Sequence, residues 1–392
     1  MTFSKQVTLF FVLTAALSLY GQVTEPILQS YERIFIRSSL GTKVNVLQDA
    51  ATDDQAAEFY RPLCNLALDF VLENAALFRE DPEMIQIAVI AVRGVGASSY
   101  SPGAENLWQV FLQFPDNVIR LEILRILPAL DPPVVLEDMN RFLADQNALY
   151  TSALSPDPQL LSALFTALGN GGDRRCYPVL FSSALLYPGT LGEEALRAMY
   201  AVQDDLCAFL GQVIVKNPPT EKLEALKLAL AWEGLSGEER GELAETALET
   251  ALGYQVRAGM TEMAELRRSA LSLIRETRWA RAFPQVFKYY TQTMEEFRRD
   301  PSRKEDLLDS IACLSSLENS DAAQVLSLQL GLYNSRAFSL SRDEHEVVFA
   351  LVRALGDLGF KASYDVLLQI PSLSYPEDTI QAAREALDKL KW

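Results

Sequence analysis

Val347–Leu368 reads V-V-F-A-L-V-R-A-L-G-D-L-G-F-K-A-S-Y-D-V-L-L. Val347, Leu351 and Leu355 recur at i, i+4 and i+8, with Val348 and Val352 beside them, which is one broad apolar stripe of a helix. Gly356 and Gly359 are expected to break that helix, because glycine alone takes left-handed backbone angles without steric cost. A second apolar run follows at once with Ala362, Val366, Leu367 and Ile370. Two amphipathic helices joined by a tight turn cannot bury both stripes alone, so they require a similar pair on each side.

The same pattern occurs earlier. Ala167–Phe181 reads A-L-G-N-G-G-D-R-R-C-Y-P-V-L-F, and it matches Ala354–Leu368 at Ala, Leu, Gly, Gly, Tyr, Val and Leu with an offset of 187 residues. Tyr187-Pro188 and Tyr375-Pro376 follow at an offset of 188, each before an Ala-rich helix. Weaker echoes run through Ala91–Phe111 and Ile311–Leu330, the latter with Asn319-Ser320-Asp321 as its turn. The pattern resembles HEAT-repeat proteins and the related HEAT-like bacterial repeats, whose units are helix pairs of about 40 residues. The resemblance covers the chain from Pro82 onward and is specific at the two A-L-G-x-x-G turns; residues 217–301 carry helices without that turn. It implies an all-α fold, an α-solenoid of stacked antiparallel helix pairs, and a scaffold role.

Composition agrees. Apolar residues make up 49% of the 392, too many for a disordered chain. Few runs alternate with period two, so strands are expected to be scarce. The net charge is −17, the reverse of a nucleic-acid footprint and unfavourable on anionic lipid. The sole histidine, His345, rules out any two-His metal site within one chain. Glu344-His345-Glu346 does not extend to H-E-x-x-H, and His345 reads as a solvated residue in a helix's first turn. Cys64, Cys176, Cys207 and Cys313 form no C-x-x-C. Cys176 and Cys207 lie about one short repeat apart, and an export compartment would permit a disulfide there, while buried free thiols are the plainer reading. No metal, cofactor or catalytic constellation is indicated.

Along the chain, Met1–Gly21 reads as a signal peptide, with Lys5 before a short apolar run from Val7 to Leu19. That predicts export to the periplasm or outside the cell, with no later membrane span. Residues 22–79 read as an atypical helical capping unit, in which Asp53 and Asp54 open a helix. Residues 80–392 read as HEAT-like repeats closed by a last helix. Asp145–Pro158 reads as a long loop.

From Arg257 to Lys304 there are 11 Lys/Arg against 6 Asp/Glu, a local +5 that leaves −22 for the remainder. Arg267, Arg268, Arg275, Arg278, Trp279 and Arg281 are the candidate partner-binding residues, because Arg and aromatics anchor protein interfaces. The same arginines also read as ion-pair partners of neighbouring repeats, and Phe283, Phe287, Tyr289 and Tyr290 as core. The functional expectation is a non-enzymatic scaffold for a protein partner in the cell envelope. Two other readings stay open: a hydrolase of an envelope polymer using carboxylates such as Asp53, Asp204 and Asp205, and a self-assembling structural protein.

Overall fold

The computed structural model describes residues 28–52, 57–96, 103–130, 134–254 and 261–390. The expected signal peptide, Asp53 and Asp54 lie outside them. The described chain is all-α and falls into two compact units, one ending at Asp204 and the other beginning at Asp205. No long linker divides them: only residues 202–205 separate two helices.

The first unit holds α1 (residues 28–37), α2 (Leu40–Thr52), α3 (Ala57–Phe78), α4 (Pro82–Gly96), α5 (Gly103–Gln113), α6 (Asn117–Ile126), α7 (Leu136–Thr151), α8 (Pro158–Gly171), α9 (Tyr177–Leu186) and α10 (Thr190–Ala201). Helices pair in sequence, α3 with α4 through to α9 with α10. α4, α6, α8 and α10 form one row; in the other, α3 meets α5 and α7 meets α9.

The second unit repeats this plan with α11 (Leu206–Lys216), α12 (Pro219–Ala231), α13 (Gly237–Leu252), α14 (Thr261–Thr277), α15 (Phe283–Arg299), α16 (Lys304–Ser316), α17 (Ser320–Asn334), α18 (Arg342–Leu358), α19 (Tyr364–Gln369) and α20 (Glu377–Asp388). The pairs again run in sequence, and α12, α14, α16, α18 and α20 form one row. Each unit is therefore a stack of helix pairs, as the two-stripe argument requires.

Local chemistry sets the helix starts. Asp157 precedes Pro158, and its carboxylate accepts from the Gln159 and Leu160 N–H groups at 2.8 and 3.4 Å. Asp81 caps α4 in the same way, accepting from Glu83 N at 2.8 Å. Ser236 and Ser341 form capping boxes with Glu239 and Glu344. Two buried lysines close helix ends instead. Lys222 donates to the Ile214 and Val215 carbonyls at 2.6 Å, and Lys43 donates to those of Phe35 and Ile36. Each lysine satisfies carbonyls that a helix leaves without partners.

Polar ties between helices carry the repeat length. Asn117 to Asp157 spans 40 residues, Asn147 to Ser183 36, Arg278 to Glu318 40 and Tyr375 to Asn334 41. Such separations arise when corresponding points of consecutive helix pairs meet.

Three expectations are corrected. Gly356 does not break the helix, since α18 continues to Leu358. It is small because a Cβ there would stand 2.9 Å from Ala386 Cα; its counterpart Gly169 meets Ala198 Cα at 2.9 Å. These glycines let α8 approach α10, and α18 approach α20. Of the four glycines that define the two A-L-G-x-x-G turns, Gly359 alone turns left-handed, at φ 68°; Gly172 keeps φ −87°. Asp145–Pro158 is not a long loop, because α7 runs to Thr151 and buries Asn147 against Ser183 at 2.9 Å. His345 is half-buried, edge-on to the Tyr375 ring at 5.9 Å, not free in water.

Candidate partner-binding surface

The six candidates at 267–281 divide sharply. Arg267 is buried at 6% exposure and donates to the Ala251 and Tyr254 carbonyls at 2.8 Å, closing the end of α13. It is a helix clamp of the same kind as Lys222, and it leaves the candidate surface. Trp279 donates from its indole N–H to Glu245 at 2.7 Å, and its ring lies where Gly241 leaves room. Arg281 reaches Glu242 at 3.1 Å while its guanidinium lies 5.3 Å from the Trp279 ring centre. Arg278 bonds Glu318 at 2.8 Å. These three tie neighbouring helix pairs together.

Arg268 and Arg275 differ. Both are exposed on α14, two turns apart, and neither makes an ion pair among the described residues. They face Asp309 of α16, whose carboxyl is pushed up by burial and partly drawn back by Arg275 and Arg268. Of the interleaved aromatics, Tyr289 and Tyr290 belong to the core, whereas Phe287 is partly exposed and stacks on Phe283 at 5.9 Å.

A groove of about 590 Å³ opens among α15, α17 and α18, a size suited to a small ligand or a few side chains. Phe297 and Arg298 at the end of α15, Gln329, Leu332 and Tyr333 of α17, and Glu344 at the start of α18 line it. Tyr333 and Phe297 are buried and floor it. Arg336 closes one side, bonded to Glu344 at 2.6 Å with its guanidinium 5.1 Å from the Tyr333 ring centre. Burial raises the Glu344 carboxyl, but the Ser341 N–H and hydroxyl and Arg336 outweigh it and hold it below its ordinary range. Arg298 is exposed and makes no ion pair among the described residues. Leu328 and Leu332 stand 72% and 52% exposed one turn apart on α17, and Phe338 is 85% exposed.

Sequence reasoning missed this groove. Arg298 lay inside the basic stretch, but nothing in the sequence around Leu328 and Leu332 marks them as exposed. Their exposure follows from which face of α17 the second unit buries, and periodicity does not carry that.

Of the carboxylates weighed for hydrolysis, Asp204 accepts from Arg174 N at 3.0 Å and Asp205 caps α11 by accepting from Ala208 N at 2.8 Å, whereas Asp53 lies outside the described residues. Among the described residues, no three His, Cys, Asp or Glu side chains gather so as to hold a metal ion. No described helix is long and apolar enough to cross a membrane. All four cysteines are free thiols. The sequence matches no protein-family model and no curated protein.

Proposed function

We propose that the chain is an exported, non-enzymatic scaffold of HEAT-like helical repeats that holds a protein partner on its second unit. The observation that carries this reading is the open groove of α15, α17 and α18, with an unpaired guanidinium at its edge and an apolar rim. Buried aromatics with a nearby arginine are the residue types that supply most of the binding energy at protein interfaces. Spacing of about 40 residues between polar ties supports the HEAT-like assignment. The net charge of −17 argues against nucleic acid. The Met1–Gly21 stretch supports export to the periplasm or beyond.

Affinity capture from envelope extract tests the reading, with residues 22–392 as bait beside folded R268E/R275E and R298E variants. A protein held by the first bait and released by either variant is the expected result. Turnover of an envelope polymer by the purified chain would contradict a non-enzymatic role.

A further inference from the structure

Helices of the second unit bury the same positions as their counterparts in the first, and at one place two aromatic residues of the first unit are replaced by non-aromatic ones. α7 and α17 bury the same positions at an offset of 187: Leu136 and Ala323, Met139 and Leu326, Leu143 and Leu330, Asn147 and Asn334. α5 and α15 do so at 186, with Trp108 at the place of Met294 and Phe111 at that of Phe297. In the first unit Phe142 of α7 fills the space between these helices. Its ring lies edge-on to Phe111 at 5.0 Å and to Trp108 at 6.0 Å.

Gln329 occupies the Phe142 position in the second unit, and Met294 the Trp108 position. Two rings are thus absent where the first unit packs them. Tyr333, at the place of Gln146, lies below with its hydroxyl 4.0 Å from the Met294 sulfur. The groove of about 590 Å³ opens at this place.

We propose that the groove receives an aromatic side chain of a protein partner, in the position that Phe142 fills in the first unit, beside an Asp or Glu of the same segment that pairs with Arg298. The proposal rests on the protein-binding reading above and names the partner's chemistry. Phe142 on Phe111 shows what shape a floor of this kind accepts. Arg298 stands where the first unit has Leu112, so a cation has replaced an apolar side chain at the rim. Arg336 is already neutralised by Glu344, which leaves Arg298 to select the carboxylate. Glu344 in the wall opposes a phosphate-bearing occupant, and the exposed Leu328, Leu332 and Phe338 extend the apolar contact beyond the groove.

The full chain, panned with a displayed library of random dodecapeptides, tests this. Enriched peptides are expected to share an aromatic residue within one helical turn of an Asp or Glu. Gln329→Phe supplies the ring from the chain itself. It is expected to weaken a selected peptide at least tenfold in calorimetry, with helix content kept and melting temperature kept or raised. Arg298→Glu is expected to weaken the same peptide at least tenfold, and exchanging the peptide's acid for Lys to restore part of the loss. Peptides that bind Gln329→Phe as tightly as the wild-type chain overturn the groove while leaving a protein-binding role standing. Enrichment of basic peptides, or of none, also overturns it; the capture experiment then decides the wider reading alone. A shift from dimer to monomer in light scattering on Gln329→Phe would make a second copy the occupant and overturn the proposal.

Discussion

Arg278 and Glu318, forty residues apart, both adopt left-handed backbone angles with φ 50°, and their side chains meet at 2.8 Å. Each follows the last turn of a helix, α14 and α16. Glycine is the usual occupant of such a position, and a side chain there costs about 1 kcal/mol. The exposed ion pair returns only a few tenths of that. Arg278→Gly is therefore expected to stabilise the chain by about 0.5 kcal/mol in urea unfolding. A loss of stability would show that the pair outweighs the backbone.

Gly356→Ala and Gly169→Ala should behave in the opposite way. Inside a helix, alanine is favoured over glycine by about 1 kcal/mol. Here the added methyl would press on Ala386 and Ala198 at about 2.9 Å. Overpacking costs about 1–3 kcal/mol, so both variants are expected to melt lower. Gly237→Ala, where nothing lies within 4 Å, is the control and should be neutral or slightly stabilising.

Acid should unfold the chain through its capping and paired carboxylates. The Arg125 hydrogen bond holds Glu122 below its ordinary range, and the Arg175 bond does so for Asp173. For Glu344 burial pushes upward, but the Ser341 groups and Arg336 outweigh it. A carboxylate whose folded pKa is depressed stabilises fully above its unfolded value of about 4.3 and loses that contribution as pH falls through the folded value. Asp309, raised by burial, runs the other way. Urea midpoints are expected to be level from pH 7 to about 5 and to fall steeply below about pH 4. A fall that begins near pH 6 would contradict the assignment.

The four thiols should resist modification. Burial pushes Cys64 and Cys313 up to about 12, and Cys176 and Cys207 up to about 11. The thiolate is the reactive form. Ellman's reagent at pH 8 is expected to label all four in urea and to label the native chain far more slowly, half-buried Cys207 first. Prompt labelling of two thiols in the native chain would contradict the burial.

The fold was largely legible. Helical stripes, Asp-Pro starts and the doubled A-L-G-x-x-G placed most helices within a few residues, because each signal is local. α2 was not legible: Gly41, Thr42 and Val44 carry no helical signature, and the helix forms because Val44, Val46, Leu47 and the Lys43 clamp are buried. The role of Gly356 was misread because close approach of another helix leaves no mark in the local sequence. Of the basic stretch, only Arg268 and Arg275 remain exposed and unpaired among the six candidates. Arg267 could not be recognised as a clamp, since its partners are carbonyls 13 and 16 residues away. Arg298 and Gln329 gain meaning only when the second unit is laid on the first.

Site-specific photocrosslinking in the native cell tests the central claim most directly. A photoreactive residue at Leu332, on the lip of the groove, is expected to give a discrete adduct of higher mass, and Gln329→Phe is expected to abolish it. The same residue at Leu77, 78% exposed on the first unit, should give none. Adducts at Leu77 and none at Leu332, or an adduct at Leu332 that survives Gln329→Phe, would contradict a partner held in the groove of α15, α17 and α18.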